Sequence, residues 1–297
     1  MDIKSEEDYR QDIHDEAEHI SSVFVIHLLM NEMCEMPDRE RMQEVMSKHI
    51  SNTECYTYDE KIAGFSVNKY SVHYEKNNCD VSPQLMITEC SRIEQPVMEE
   101  SDMNQLWNCE NGIEILNDAS YQVFATDMLA AGLNYKERAE MLVDFVEALV
   151  ELYPSCTAVV FENSKKMLTR EEILYYSVPK EQRFIYYAVN ARFFKIQSTE
   201  DMLVDTVGMS TLFLPDVQYH FHGIAHSDVM NHAYNLLIYI FENNNPIDSG
   251  DRIDGIKDGS LSDDVKWTVR YENSIVKPER VVIDVNMGEN AAGVREE

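Results

Sequence analysis

The stretch that decides the fold class is residues 202–241, which read MLVDTVGMSTLFLPDVQYHFHGIAHSDVMNHAYNLLIYIF. Met202–Val207 and Val217–Phe221 are short runs rich in β-branched and aromatic residues, which predicts two strands with a short connection. A helix then follows, with Ser227 or Asp228 as its N-cap. Its apolar stripe at helical spacing consists of Val229, Ala233, Leu236, Leu237, Ile240 and Phe241.

The rest of the second half adds more predicted strands. Phe184–Ile196 is rich in Tyr, Phe, Val and Ile and predicts a long strand that pairs with the first strand of the stretch above. The last predicted strands of this half lie near Val265–Tyr271 and Arg280–Val285. Asp254-Gly255 has the composition of a turn, so we expect the chain to reverse there.

The first half alternates predicted strands and helices. The apolar run Val23–Met30 is long enough for a buried strand. The clearest helix of the first half begins at the N-cap Asn134 and ends before Pro154. A capping box follows at Thr169-x-x-Glu172. The remaining predicted elements are a helix over 37–50, strands at 54–58, 64–74, 85–90, 121–128 and 157–161, and a broken helix over 97–118.

Several predicted strands adjoin one another directly, unlike the strict strand–helix–strand rhythm of a doubly wound sheet. We therefore predict an α+β fold of two α/β sandwich-like halves, with mixed or mainly antiparallel sheets and helices packed on one face. The expected boundaries are an acidic N-terminal tail over 1–20, an N-terminal domain over 21–180, a C-terminal domain over 181–286 and a frayed tail over 287–297.

Composition excludes several classes of protein. The chain has 54 acidic and 25 basic residues and a formal charge of −29, so direct binding to a nucleic-acid backbone is not expected. No apolar stretch reaches the roughly 18 residues that span a bilayer. The acidic N-terminus lacks the features of a secretory signal, so we expect a cytoplasmic protein without a membrane partner.

Cysteine and glycine spacing argue against familiar cofactor sites. Six cysteines form no C-x-x-C pair and fit no zinc pattern, so we interpret them as small buried side chains in a reducing compartment. The 10 glycines satisfy neither G-x-G-x-x-G nor G-x-x-x-x-G-K. We therefore expect no nucleotide-binding loop, and no Ser/His/Asp or Cys/His arrangement stands out from the background.

The most distinctive polar cluster is a group of four histidines: His220, His222, His226 and His232. His220 and His222 share one face of the predicted strand. Such an array suits a divalent metal such as zinc. The spacing of six between His226 and His232 does not put them on one helical face, and surface histidines on a strand edge are the alternative.

Charge is unevenly distributed along the chain. No Lys or Arg occurs between Arg92 and Lys136 or between Lys195 and Arg252, and each gap contains eight acids. Local negative potential attracts cations or a basic protein. A solvated acidic face is the alternative interpretation.

Four stretches of the second half carry a resemblance to a known family: DTVGMSTLFLPD over 205–216, YHFHG over 219–223, residues 231–240, and DSGDRID over 248–254. They resemble the bacterial domain of unknown function 4261 family, in which T-x-G-M is followed by G-L-P-[DE] and by a G-D-T turn. Here Phe213 replaces the Gly before Leu-Pro, and Arg252 replaces the Thr. The first half is similar too, so the resemblance extends from about Val23 to Val285. It implies an intracellular bacterial α+β protein and no particular activity.

Two functions remain open from the sequence. The first is a non-catalytic interaction protein that docks a basic partner on its acidic surface, and it follows from the charge gaps and the missing catalytic motifs. The second is a metal-binding protein or metal-dependent enzyme built on the four histidines. An acidic mimic of nucleic acid, which would compete with DNA for a basic protein, is a third reading.

Overall fold

A computed structural model describes residues 4–19, 23–74, 78–175 and 177–293. The chain divides into two compact units, one of residues 20–188 and one of residues 1–19 with 189–297. We call these the N-terminal and C-terminal units. The ends of the expected tails, residues 1–3, 20 and 294–297, lie outside the described residues.

The N-terminal unit is built on an antiparallel seven-stranded sheet with the order β2-β3-β6-β7-β1-β8-β9. A separate two-stranded sheet, β4-β5, is inserted between β3 and β6 along the chain. The strands are β1 (Val25–Met30), β2 (Thr53–Tyr58), β3 (Ile62–Val67), β4 (Val72–Tyr74), β5 (Cys79–Val81), β6 (Gln84–Arg92), β7 (Tyr121–Met128), β8 (Ala158–Phe161) and β9 (Lys166–Thr169). The helices of this unit are α2 (Arg39–His49), α3 (Glu100–Met103), α4 (Gly112–Asp118), α5 (Tyr135–Leu152), α6 (Arg170–Leu174) and α7 (Arg183–Ala188).

One face of this sheet carries the main core. Alternation along β1 buries Ile26 and Leu28 completely on that face. The Phe24 ring contacts both Phe161 of β8 and Phe184 of α7, with ring centroids 5.9 Å apart in each case. The long helix α5 packs with α2, α6 and α7 around this core.

The opposite face is only partly covered. Residues 93–119, which we call the cover segment, pack apolar side chains from α3, α4 and their connections against Leu29, Ala158 and Val160. Val25 and His27, which share the strand face of Leu29, lie beyond the cover segment and line an open cleft. The sheet therefore has one closed face and one half-open face.

The C-terminal unit is built on a mixed six-stranded sheet with the order β10-β11-β12-β15-β14-β13. Only the β12–β15 pair is parallel among the described strands. The strands are β10 (Asn190–Lys195), β11 (Met202–Val207), β12 (Asp216–Phe221), β13 (Arg252–Lys257), β14 (Ser260–Asn273) and β15 (Val281–Asn286). The helices of this unit are α1 (Glu6–His19) and α8 (His226–Glu242).

The long helix α8 packs on one face of this sheet. All six apolar residues of the stripe predicted from the sequence are buried in it. Its N-cap is Ala225, two residues before the predicted Ser227 and three before Asp228, because the helix starts directly after the bend at residues 222–224. The α+β class and the mixed or antiparallel sheets predicted from the sequence are confirmed.

For the acidic N-terminal segment the composition predicts a solvated tail that becomes helical near its end, and the structure has a helix over most of the segment. Residues 6–19 form α1, and Arg10 donates hydrogen bonds to the Ile247 carbonyl and to Asp248 at 2.6 and 2.8 Å. The Arg10 guanidinium also lies over the Tyr271 ring, 4.9 Å from its centroid. These contacts order an acidic stretch that has too few apolar residues to be recognised as a packed helix.

The segment predicted as one long strand, Phe184–Ile196, contains two elements. Residues 183–188 form α7, and only residues 190–195 form a strand, β10. An uninterrupted apolar run does not distinguish a buried helix from a buried strand, so the prediction of a strand over 184–188 was wrong. The units accordingly separate after Ala188, eight residues later than the expected boundary.

The predicted turn at Asp254-Gly255 lies inside β13, at a register shift against β14. A Cβ on Gly255 would come within 2.7 Å of Val265 and 2.8 Å of Trp267, so glycine is needed for close packing there. The Asp-Gly pair marks an irregularity in the strand pairing because irregular strand backbone and turns require the same residue types. Among the described residues, no helix has both the length and the apolar character to cross a bilayer.

Candidate functional site

The four histidines of the predicted metal site lie on two faces of the C-terminal sheet. His220 and His222 lie on one face near Asp201, with His220 Nε2 at 4.0 Å from Asp201 Oδ2 and His222 Nδ1 at 3.8 Å from Oδ1. Tyr219, the residue before His220, points to the opposite face of the sheet, where α8 packs. The strand thus brings His220 and His222 together, as its alternation predicts.

His226 and His232 lie on the α8 face. The His226 ring stacks on Phe193 with centroids 4.4 Å apart, and Phe193 is aligned with Val204 and Tyr219 across the sheet. His232 is buried, and both of its ring nitrogens are used: Nδ1 lies 2.9 Å from the Tyr219 hydroxyl and Nε2 lies 2.8 Å from the Asp254 carbonyl.

The sheet therefore separates His220 and His222 from His226 and His232, and the four do not meet at one point. Over the part of the chain that the structure describes, no group of three or more His, Cys, Asp or Glu side chains is placed to hold a metal ion. The separation follows from β-strand alternation, which put Tyr219 and not a histidine opposite α8.

The buried His232 makes the stability of the C-terminal unit pH-dependent. Burial lowers the pKa of His232, although the Asp254 carbonyl and carboxylate act in the opposite direction. The unfolded chain takes up this proton near an ordinary pKa of about 6.5. Between the two pKa values the unfolded state binds more protons than the folded state. The contribution of His232 to stability is therefore complete above about pH 6.5 and is lost as the pH falls towards the pKa of the folded state.

We expect His232→Gln to reduce the acid sensitivity of folding. Urea denaturation midpoints at pH 7.5 and 5.5 measure the effect, and the drop between them should be smaller in the variant than in the unmodified chain. His226→Gln, at an exposed position on the same helix, is the control and should keep the original drop. Equal drops in all three proteins would contradict this assignment.

A network of buried charges lies at the β11–β12 end of the C-terminal sheet. Asp205 and Asp216 are almost wholly buried. Arg280 Nη2 donates to Asp205 Oδ2 at 2.7 Å, and Arg280 Nε lies 3.4 Å from Asp216 Oδ2. Arg192 donates two further hydrogen bonds to Asp205, at 2.9 and 2.6 Å. Two arginines thus balance two carboxylates inside the fold.

The Asp216 carboxylate also organises the turn between β11 and β12. Its Oδ1 accepts a hydrogen bond from the Thr206 hydroxyl at 3.0 Å, and its two oxygens lie 3.4 Å from the backbone nitrogens of Gly208 and Met209. Burial raises the pKa of Asp216, and Arg280 and Thr206 offset this only in part. Because the network is closed to solvent, it can hold the fold together but cannot receive a substrate.

Backbone geometry explains two residues of this turn. Gly208 has φ 138°, a conformation that L side chains rarely adopt, so glycine is required there. Phe213 has φ 56° and ψ 35°, in the left-handed region. This region is unfavourable for a residue with a bulky side chain and usually holds glycine.

A polar cleft with a volume of about 760 Å³ lies on the half-open face of the N-terminal sheet. At its base, His27 Nδ1 lies 2.9 Å from Gln122 Oε1, and His27 Nε2 lies 3.3 Å from Glu162 Oε2. The His27 ring also meets the edge of Phe124. Strand alternation on β1 and β7 positions these side chains, since each lies on the face opposite the main core.

Charges of both signs surround this cleft. Burial raises the pKa of Glu162, but hydrogen bonds from His27 and Lys165 outweigh that effect, so its pKa lies below the ordinary value. Arg92 lines one wall, and Glu94 and Glu99 of the cover segment line another. The arrangement can bind a charged or polar group, and Glu94 and Glu99 connect it to the surface of the cover segment.

Most of the first charge gap forms that surface, and its eighth acid, Asp127, lies outside the cover segment and is buried. The cover segment has seven acidic residues and no Lys, Arg or His. Six of the acids are exposed and Asp102 is half-buried. The exposed acids are Glu94, Glu99, Glu100, Glu110, Glu114 and Asp118. Trp107 and Ile113 of the same segment are 49% and 54% exposed, so apolar and acidic groups occur together.

The second charge gap is not a comparable surface. Two of its eight acids, Asp205 and Asp216, are buried and bound to arginines that lie outside the gap in the sequence. A third, Asp248, is paired with Arg10. From the sequence alone both gaps are expected to form acidic surface, because the arginines that bind these acids are distant along the chain.

The sequence did not single out His27, although it lies in a run predicted as a strand. The apolar run Val23–Met30 contains one histidine, and only its place on the half-open face distinguishes it from a core residue. The signal that could have found it is the interruption of the apolar run by a single histidine. An isolated polar residue in a buried strand marks a sheet face that is not fully covered.

Comparison with known proteins identifies a family over part of the chain. Residues 205–286 match the family model described as Domain of unknown function (DUF4261), which confirms the resemblance over this stretch. The match runs from β11 to β15 and leaves out the first half, so it is narrower than the resemblance drawn from Val23 to Val285. Neither a curated protein nor a solved structure matches the chain.

The matched stretch contains the turn and most of the buried network. The glycine of its T-x-G-M segment is Gly208, whose φ requires glycine, and its Pro-Asp pair supplies Asp216. Phe213, which replaces the glycine of the pattern that the sequence resembles, has left-handed backbone. Gly208 and Asp216 of the matched stretch therefore serve the turn and the ion pairs.

Proposed function

We propose that this protein is a non-catalytic interaction protein that docks a basic partner protein on its cover segment. The observation that carries the proposal is the accumulation of seven acids without a basic residue on one outer surface of the N-terminal unit. Clustered charge of one sign attracts a partner of the opposite sign and increases its association rate.

The cover segment is amphipathic in the way an interface requires. Its inner side chains pack against the sheet core, so the outer acids are displayed on an anchored support. Trp107 is half exposed, and its indole Nε1 donates to Gln105 Oε1 at 2.9 Å. Tryptophan is enriched among the few residues that supply most of the binding energy at interfaces. We therefore assign Trp107 as the apolar anchor within the acidic surface.

The cleft beside the cover segment extends the same surface. Glu94 and Glu99 belong to both, and Glu162 lies at the base of the cleft. A Lys or Arg side chain of the partner that enters the cleft meets these carboxylates. Charge-assisted hydrogen bonds of this type are stronger than neutral ones, so the cleft provides a place for a specific basic residue.

The alternative function, a metal site or metal-dependent enzyme on the four histidines, has no support from their placement on two faces. The mimicry of nucleic acid is a special case of the docking proposal, because it too needs a basic partner. We also place the protein in the cytoplasm of a bacterium. Its six free cysteines support a reducing compartment.

A photo-crosslinking experiment tests the docking proposal. The full chain carries a photoreactive residue at Asn104, an exposed neutral position of the cover segment, or at Tyr175, which is 81% exposed elsewhere in the same unit. We expect crosslinks from position 104 to recover a defined basic protein, and fewer of them at high salt because ions screen the attraction.

Two matched variants provide the control. Each neutralises four exposed acids of the N-terminal unit. The cover variant carries Glu100→Gln, Glu110→Gln, Glu114→Gln and Asp118→Asn, and the control variant carries Glu32→Gln, Glu40→Gln, Glu54→Gln and Glu181→Gln. The cover variant should lose the crosslink and the control variant should keep it. Equal loss in both, or equal crosslinking from Tyr175, would contradict the proposal.

Once the partner is purified, Trp107→Ala should weaken its binding by about 2 kcal/mol or more, as for other interface hot spots. Leu174→Ala, at a residue that is 42% exposed outside the cover segment, is the control. Calorimetric titration at one salt concentration measures both. An unchanged affinity in Trp107→Ala would remove Trp107 from the interface.

A further inference from the structure

Sulfur-containing side chains converge where β1 ends. The Cys34 thiol lies 3.1 Å from Met30 Sδ, and the Cys90 thiol is a neighbouring group. Met33 and Met36 line the same cleft as Cys34 and Cys90. Burial, followed by the contact with Cys90, raises the pKa of Cys34 to about 12.

A β-bulge directs Cys90 towards this cluster. Ile87 and Cys90 of β6 are aligned with Ala125 and Val123 of β7, so Thr88 and Glu89 together oppose one residue. Without the extra residue, Glu89 would take the buried position that Cys90 occupies. Bulges commonly re-aim a side chain next to functional sites.

A buried polar group with no hydrogen-bond partner lies next to the thiols. Tyr153 is 2% exposed, and within the described residues its hydroxyl finds no partner. The Cys34 and Cys90 side chains are among the groups that act electrostatically on this hydroxyl. A buried hydroxyl without a partner is costly, and a bound group that accepts its hydrogen bond would remove that cost.

The cluster is accessible from solvent. It opens into a cleft of about 620 Å³, and Cys34 is half-exposed while Cys90 is buried at the inner end. The acidic side chains of Glu35, Glu60 and Glu89 line the cleft. Their negative charge favours the entry of a cation.

We propose that the Cys34 and Cys90 sulfurs, with Met30 Sδ as a third ligand, bind a single Cu(I) ion. Thiolate and thioether sulfurs are the ligands that select Cu(I). Cu(I) accepts two or three sulfur ligands, so it does not need the larger set of His, Cys, Asp and Glu that structural zinc requires. This site is separate from the cover segment and does not depend on the docking proposal.

Binding leaves the oxidation state of the metal and of the sulfurs unchanged. Two S–H bonds break, two Cu–S bonds form, and the two protons pass to solvent. The resulting site has one net negative charge, since two thiolates bind one monovalent ion. The Tyr153 hydroxyl then donates a hydrogen bond to a thiolate, which satisfies the group that is otherwise without a partner.

Competition with a chromogenic chelator tests the site. The full chain is reduced, freed of reductant without oxygen, and titrated against Cu(I) bicinchoninate, whose colour fades as the ion transfers to the protein. We expect the unmodified chain to take one ion. Cys34→Ser and Cys90→Ser should each weaken binding by at least about tenfold, the lower range seen when metal sites lose supporting groups. Met30→Leu, which preserves apolar packing, should weaken it as well.

Cys79→Ser is the matched control, because Cys79 is exposed in β5 and should leave the affinity unchanged. Alkylation followed by peptide mass spectrometry gives a second measurement in which Cu(I) protects Cys34 but not Cys79. If the buried Cys90→Ser variant fails to fold, the half-exposed Cys34→Ser variant and the protection of Cys34 decide the question. Equal affinity in Cys34→Ser and the unmodified chain, equal protection of both thiols, or a preference for Zn(II) would overturn the proposal.

Discussion

Replacement of Arg280 by Met is expected to destabilise the C-terminal unit by about 3–5 kcal/mol, the range found when one partner of a buried ion pair is removed. Arg280 contacts both Asp205 and Asp216. Its Nη2, which donates to Asp205, also donates to the Thr206 carbonyl at 2.5 Å. Without it, Asp216 keeps only hydroxyl and backbone donors. A buried carboxylate without a cation is much more costly than the loss of one hydrogen bond.

Urea denaturation of the full chain, followed by circular dichroism, measures this effect. Arg252→Met is the control, because Arg252 is exposed on the edge strand β13 and its loss should change stability little. The double variant Arg280→Met with Asp216→Asn should recover part of the loss, since it removes one of the uncompensated charges. A change in Arg280→Met no larger than that of the control would show that the network contributes little to stability.

Replacement of Arg138 by Met is the second large expected effect and concerns the N-terminal unit. Arg138 lies fully buried in α5 and donates to Asp127 Oδ2 from Nη2 at 2.9 Å and from Nε at 3.2 Å. The other carboxylate oxygen accepts from the Phe24 backbone at 2.5 Å. The pair thus links α5, β7 and the residue before β1. We expect a loss of about 3–5 kcal/mol, for the same reason as in the C-terminal unit.

The pH dependence of this second variant distinguishes a lost charge from lost packing. Burial already raises the pKa of Asp127 despite its cation. When Arg138 is absent, the pKa should rise further, and the folded state then binds more protons than the unfolded state. The destabilisation should therefore shrink as the pH is lowered from 7 to 5. Arg41→Met, at an exposed position of α2, is the control for the side-chain change. A loss that is equal at both pH values would assign the effect to packing.

The two proposals for function concern different parts of the N-terminal unit and can be separated experimentally. The docking surface consists of acids and Trp107 on the cover segment, whereas the sulfur cluster lies at the end of β1 on the face of the main core. Neutralising four acids of the cover segment should not change Cu(I) binding. Cys34→Ser should not change the crosslink from position 104.

Helix α5 shows how much of the fold could be predicted from the sequence. Asn134 accepts a hydrogen bond from the Lys136 backbone at 3.0 Å, as expected of its N-cap, and the helix ends before Pro154. The Thr169–Glu172 capping box is also confirmed. Such features could be predicted because each depends on residues within one turn of one another. The strand predicted over 184–188 failed because its apolar run carried no period of its own.

The candidate sites could be predicted only in part. The first charge gap is a surface, as its composition indicated, but the second is not, because Arg192, Arg280 and Arg10 bind its acids from distant positions. The histidines were recognised as residues, yet which sheet face each one occupies depends on strand register and on where α8 packs. Cys34 and Cys90 carry no spacing pattern, and a β-bulge in β6 was needed to bring them together.

The sequence by itself determined the α+β class, the two long helices α5 and α8, and the absence of a glycine-rich phosphate loop. These properties depend on periodicity, capping and local backbone preference, which act between neighbours along the chain. Only the tertiary structure decided which acids are exposed, which histidines share a face and which thiols meet. Burial and pairing join residues as far apart as Asp205 and Arg280, and no local pattern records such contacts.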